Sequence, residues 1–322
     1  ARLGETEMTY VRPDVQALLD QMKAAPGPSI ADLGAVAGRE MYRAMGTMLD
    51  LPRGDIAEVR DITIPGPAGA IPARLYRNHK ATSGDVLVYF HGGGWVIGDL
   101  ESHDGLAAEI ARRSGLTVVA IDYRMAPEHV FPAAADDCIA ATRWIAGSPA
   151  ELGEKVTGIA VAGDSAGGNL SAVVAQALAG KLPVPFKAQW LIYPAVDMVE
   201  NWGSLDEFAD DYVLTKAVMR WFEVTYAPTA TQRHDVRASP LRADSLAGQP
   251  AAIVMTCGLD PLRDQGRAYA AKLAQAGVSV TFRELAGIVH GAFNLRAALP
   301  SVAADLKRGI ADLRAALDAS AT

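Results

Sequence analysis

The sequence predicts an α/β fold: a mostly parallel central sheet flanked by helices, with an inserted helical excursion. Three observations predict it. From about residue 56 onward, short apolar β-rich runs alternate with segments of helical spacing, the order that produces parallel strands linked by helical crossovers. Several of these runs are almost continuously apolar, as strands covered on both faces must be. One segment, 198–232, breaks the alternation with a helical pattern of its own, and residues 12–50 read as helices ahead of it.

The elements follow in order. Pro13 and Asp14 can start a helix, and Val15, Leu18, Leu19 and Met22 keep its spacing until Pro26-Gly27-Pro28 ends it. Met41, Tyr42, Met45 and Met48 carry an apolar stripe along a second helix, which suits either plain packing or a lid over a site. Residues 61–64 and 71–77 read as strands joined by Pro65-Gly66-Pro67-Ala68-Gly69, with Pro72 confining the second to a sheet edge. Further strands are expected at 85–90, 116–121, 159–162, 188–193, 251–257 and 279–285. Helices are expected at 103–114, 133–147, 167–180, 264–276 and 300–318. The stretch 198–232 carries Trp202, Phe208, Tyr212, Leu214, Met219, Trp221 and Phe222 among many charges and reads as an inserted helical excursion.

Composition narrows the function. The chain has 322 residues, half of them hydrophobic, enough for one large domain or two ordinary ones. A net charge of -7 gives no electrostatic reason to expect nucleic acid or an anionic membrane as partner. The two cysteines, Cys138 and Cys257, lie far apart in core-like segments and are expected to be reduced and buried. No spacing resembles a zinc site. The first fifteen residues hold no signal-peptide core, and no apolar run reaches the roughly 20 residues of a membrane span. A cytoplasmic protein without a stable membrane anchor is the expectation.

The chemistry-bearing residues begin with Gly163-Asp164-Ser165-Ala166-Gly167, which follows one strand-like run and opens a helical one. That is G-x-S-x-G in the strand-to-helix setting that presents a serine nucleophile. The tight turn needs glycine on both sides of the serine and holds it in a strained conformation. A second glycine-rich segment, His91-Gly92-Gly93-Gly94-Trp95, follows the strand at 85–90. Acyl transfer places negative charge on the former carbonyl oxygen, and a loop of this kind can turn its amides toward that charge. A phosphate-binding loop fits less well, because no Lys-Ser/Thr pair follows. His91 itself suits a loop-shaping role.

A serine nucleophile needs a base, and the base needs an orienting carboxylate. On a turn of this type the chain order is serine, acid, histidine. Downstream of Ser165 stand only His234, in a polar run, and His290, in a loop after the last predicted strand; His290 is the favoured base. Asp260, just past the strand at 251–257, is the favoured acid, with Asp264 and Asp197 as rivals.

These segments together resemble the bacterial branch of the hormone-sensitive lipase family of esterases. The matching motifs are HGGGWVIGDLESHD at 91–104, DYRMAPEHVFPAAADD at 122–137, GDSAGGNL at 163–170, YPAVD at 193–197, GLDPLRDQG at 258–266 and His290-Gly291. The resemblance implies an α/β-hydrolase fold with N-terminal cap helices at 1–55. It implies a catalytic domain at 56–322 that carries the cap insertion at about 198–232. It implies Ser165, Asp260 and His290 as a catalytic triad and an oxyanion hole from the amides of Gly93, Gly94 and Ala166. It also implies hydrolysis of short- to medium-chain acyl esters without a cofactor, and a homodimer is one expectation, since several members dimerise. Trp95, Tyr193, Tyr212 and Leu214 are the candidate pocket walls. The chain departs from the family in having Gly291-Ala292-Phe293 after His290, where His-Gly-Phe is usual; the extra residue could shift the aromatic wall beside the histidine. Two other functions could use the same machinery: amide or peptide hydrolysis, and small-molecule reception by a relative lacking the base histidine. The presence of His290 counts against the second.

Overall fold

The computed structural model describes residues 9–79 and 84–320. The first eight positions of the expected N-terminal cap stretch lie outside the described residues. Two helices come first, α1 (Pro13–Ala24) and α2 (Ile30–Leu49). Ser29 caps α2: its side chain accepts from the Asp32 N–H, and the Asp32 carboxylate accepts the Ser29 N–H in return, the reciprocal pairing that satisfies two otherwise unpaired donors. Gly34, with φ 72°, breaks the helical path inside α2.

The strands are β1 (Glu58–Gly66), β2 (Gly69–Arg77), β3 (Asp85–Phe90), β4 (Thr117–Ile121), β5 (Gly158–Asp164), β6 (Phe186–Ile192), β7 (Ala251–Leu259) and β8 (Val280–Val289). They form one sheet in the order β1-β2-β4-β3-β5-β6-β7-β8. The β1–β2 and β2–β4 pairs are antiparallel and the other five parallel. One expectation is corrected here. β2 is not an edge strand, because β1 takes the edge and β2 pairs on both sides. Pro72 is tolerated because β2 overruns β4 at that point. Its carbonyl accepts the Asp122 N–H just beyond the end of β4, so its missing donor faces a place where the neighbouring strand has already ended.

Both faces of the sheet are covered. α3 (Asp104–Ser114) and α10 (Ala303–Ala319) pack with α1 on one side, against Leu87, Tyr89, Val118, Trp190 and Met255. α4 (Ala133–Ala146) and α5 (Ala166–Leu178) cover Val86, Val88, Phe90, Val119 and Val161 on the other, and α9 (Arg263–Gln275) covers Leu191 and Val254. Alternate β3 residues from Val86 to Phe90 therefore enter different cores, which is why all five are buried. The excursion after β6 is helical: α6 (Gly203–Glu207), α7 (Lys216–Tyr226) and α8 (Ala230–His234). Cys138 and Cys257 are buried and unpaired, in cores on opposite faces of the sheet. Among the described residues no helix is long and apolar enough to cross a membrane.

Strand register positions the site. Phe90 pairs with Gly163, so the loop leaving β3 and the turn leaving β5 emerge side by side. Leu259 pairs with Val289, so the next residues, Asp260 and His290, leave the sheet together. All four segments emerge at the C-terminal ends of parallel strands, the usual location of sites in such sheets.

Candidate active site

Ser165 stands between β5 and α5 with φ 57° and ψ -115°, a backbone conformation that costs a non-glycine residue roughly 1–3 kcal/mol and persists only where the surroundings impose it. Neighbouring contacts impose it here. A Cβ on Gly167 would fall 1.9 Å from the Phe90 carbonyl oxygen, and one on Gly163 would fall 2.4 Å from the Gly167 backbone. The turn is thus wedged against the end of β3. Gly167→Ala is expected to destabilise the fold by about 3 kcal/mol, the upper end of ordinary overpacking. A urea midpoint equal to that of the parent chain would show that the approach is looser than described.

The loop after β3 turns back on itself: the Gly93 carbonyl accepts the Val96 and Ile97 N–H groups. Gly94 has φ 60°, and a Cβ there would sit 2.2 Å from the ring of Phe222 on α7, so only glycine fits beneath the excursion. Among the described residues the N–H groups of Gly93, Gly94 and Ala166 donate to no protein acceptor.

The histidine and the two flanking side chains meet. His290 Nε2 lies 2.8 Å from Ser165 Oγ, and His290 Nδ1 lies 2.7 Å from Asp260 Oδ2. The second Asp260 oxygen accepts the Leu262 N–H at 2.8 Å. Asp260 is fully buried and His290 is nearly so. With Nδ1 donating to the carboxylate, Nε2 is free to accept the serine hydroxyl hydrogen. A chain of donors in this order can transfer a proton away from Ser165 as its oxygen attacks.

The sequence matches the family described as alpha/beta hydrolase fold over residues 87–294. The chain belongs to the hormone-sensitive lipase-like branch of the α/β-hydrolases. It is 40% identical to the carboxylic ester hydrolase LipN of Mycobacterium tuberculosis over 291 residues, 88% of this chain and 77% of LipN. It is 38% identical to the carboxylesterase NlhH of the same organism over 322 residues, 98% of this chain and all of NlhH. Among solved structures it is similar to the ester-hydrolase EH1AB1 from the metagenome of Lake Arreo, with TM-score 0.90 and 40% identity over 95% of this chain and 99% of that one.

In this α/β-hydrolase, Ser165 and His290 open onto a cavity of about 690 Å³. Its walls are mainly apolar and come from α1, α2, α7 and the loop before α7. Trp95, Tyr212 and Leu214 are among the lining residues. Tyr193 is not, which corrects one expectation. Its ring packs edge-on behind His290 with centroids 4.9 Å apart, and Phe293 buttresses it from behind at 5.9 Å. The extra residue after His290 is absorbed by Gly291 at φ 77° and a short 3₁₀ turn over 292–294. Phe293 is thereby turned into the core behind the imidazole.

Sequence reasoning left Tyr42 and Met45 open between plain packing and a lid, and did not single out Met219 and Phe222 as lining residues. Their helical spacing shows an apolar face without showing whether that face meets a core or a cavity. It also missed Asp164. That side chain is buried and accepts hydrogen bonds from Tyr89 Oη at 2.6 Å, the Gly92 N–H at 3.0 Å and Asn294 Nδ2 at 3.0 Å, with His103 Nε2 at 3.4 Å. Burial alone would raise its pKa, but His103 and the Tyr89 hydroxyl outweigh burial and hold it at about 2. His91, stacked on Tyr123 with centroids 4.3 Å apart, is pushed down to about 4 by burial and by neighbouring His103, so it is neutral at pH 7.

The rival residues are engaged elsewhere. Asp264 accepts the Ser204 N–H and pairs with Arg263 and Arg267. Asp197 accepts the Trp202 indole N–H and pairs with Arg242. His234 lies exposed on α8, its Nδ1 on the Ala230 carbonyl.

Proposed function

We propose that the protein is a serine carboxylesterase that hydrolyses short- to medium-chain acyl esters through an acyl-enzyme. The observation that carries this is the unbroken chain Asp260–His290–Ser165, with links of 2.7 and 2.8 Å, at the wall of a largely apolar cavity. The ester hydrolase relatives support it. His290 takes the hydroxyl proton as Ser165 Oγ attacks the ester carbonyl, and Asp260 steadies the imidazolium. The oxyanion is held by the N–H groups of Gly93, Gly94 and Ala166. Collapse expels the alcohol, which receives the proton from His290. Water deprotonated by His290 then attacks the acyl-enzyme, and the carboxylic acid leaves as Ser165 regains its hydrogen.

In this proposal, residues 1–55 and about 198–232 form the cap, and the remainder of 56–322 forms the catalytic domain. Trp95, Tyr212 and Leu214 contact substrate, whereas Tyr193 supports the base from behind. The substrate is a small-molecule ester and no cofactor takes part. We further assign the protein to the cytoplasm, consistent with its two unpaired buried thiols.

A fluorophosphonate and a series of p-nitrophenyl esters test the proposal together. The reagent is expected to modify Ser165 stoichiometrically and abolish hydrolysis. Rates are expected to peak among the short and medium chains and fall toward palmitate. A chain that resists the reagent, or cleaves matched amides as fast as esters, would not be this enzyme.

A further inference from the structure

We propose that Asp164 is a positioning residue that clamps the nucleophile turn, the oxyanion loop and the loop behind His290 into one reactive geometry. This rests on the serine esterase function proposed above. The Asp164 carboxylate joins the separate parts of the machinery. Asp164 itself immediately precedes Ser165. Gly92, whose N–H donates to Oδ1 at 3.0 Å, immediately precedes Gly93 and Gly94. Asn294, which donates to Oδ2 at 3.0 Å, ends the short turn that follows His290, and its own N–H is bonded to the Gly291 carbonyl. Tyr89 donates to Oδ1 at 2.6 Å from the end of β3. His103 Nε2 closes the ring near Oδ2, and Ser102 Oγ holds its other nitrogen at 2.9 Å.

The fit around this carboxylate is tight. A Cβ on Gly92 would lie 2.3 Å from Asp164 Oδ2, so the oxyanion loop is pressed directly onto the charge. A buried charge is costly unless its partners are in place. The carboxylate therefore fixes the spacing among loops that are remote in sequence. Donors already in place when charge develops need not reorganise in the transition state. Loosening the clamp should therefore act on kcat more than on KM.

Asp164→Asn keeps the oxygen that faces Tyr89 and Gly92, and places an amide against the Asn294 amide. With p-nitrophenyl butyrate, kcat is expected to fall about 100-fold, the scale of losing one oxyanion donor. KM should stay within about threefold of the parent chain. Affinity for a trifluoromethyl ketone, which forms an oxyanion adduct with Ser165, should fall by the same factor as kcat/KM. The exchange Asp164→Asn with Asn294→Asp restores a donor–acceptor pair and should recover about 10-fold of the lost kcat. If Asp164→Asn does not fold, Asn294→Ala decides, with an expected loss of about 10-fold in kcat at little change in KM. A folded Asp164→Asn or Asn294→Ala variant with kcat within about threefold of the parent would overturn the proposal. So would a loss of activity with unchanged ketone affinity and no recovery in the exchanged pair, because that marks a purely structural residue. A parent chain that neither hydrolyses the ester nor takes the fluorophosphonate sinks the esterase proposal itself. An active, labelled parent with unaffected variants sinks only the role of Asp164.

Discussion

Ser165→Ala is expected to lower kcat for a p-nitrophenyl ester by about 10⁴-fold or more while leaving a folded chain. In free-energy terms that is about 5.5 kcal/mol of lost transition-state stabilisation. The change removes only Oγ. The residue at φ 57° still carries a Cβ, so the strain of the turn is nearly unchanged and the thermal midpoint should move little. His290 keeps its bond to Asp260 but loses the hydroxyl 2.8 Å from Nε2, and no covalent intermediate can form. Residual turnover would come from cavity binding and the loop amides acting on water. Circular dichroism and steady-state rates on the same preparation check both halves. Hydrolysis at the parent rate by a folded variant would remove Ser165 from the chemistry.

The second large effect is expected from Asp260→Asn, again about 10⁴-fold in kcat. The two side chains have nearly the same shape, and the oxygen facing the Leu262 N–H can be kept. The other position then presents an amide N–H to His290 Nδ1 in place of an acceptor. The ring answers by moving its hydrogen to Nε2. That nitrogen can then no longer accept the proton of Ser165. The protein should fold, bind substrate with a similar KM and turn over slowly. Fluorophosphonate labelling of Ser165 should slow alongside, since it uses the same activated oxygen. A variant that labels and turns over normally would assign the orienting role elsewhere. Asp264 and Asp197 are poor substitutes, because their oxygens are already engaged by Ser204 and Arg263 in one case and by Trp202 and Arg242 in the other.

Much of this architecture was legible from sequence for a local reason. Continuous apolar runs and helical spacing are properties of short windows, so the runs at 85–90, 159–162 and 251–257 announced β3, β5 and β7. Glycine requirements are also local in part. Gly163 and Gly167 flank Ser165 because the turn between strand and helix leaves no room for a side chain. Pro72 was misread because being at an edge is a property of strand order, and the order β1-β2-β4 is not written in any window. Tyr193 was misassigned for a related reason. It follows β6, but its ring packs against His290 and Phe293, which lie about a hundred residues on.

By itself, the sequence determined the alternating elements, the strained serine turn, the glycine loop and the short list of residues able to act as base or acid. These depend on side-chain chemistry and on spacing within a few residues. Only the tertiary structure decided that Asp260 rather than Asp264 or Asp197 meets His290, because the register of Leu259 against Val289 delivers that pair together. It alone brought Asp164 against Gly92, His103 and Asn294, which are up to 130 positions away. It alone left a cavity among α1, α2 and α7, whose apolar faces otherwise pack into the cores. The physical reason is common to all three: hydrogen bonds and cavities act over a few ångströms, and which residues come that close is fixed by the packing of the whole chain.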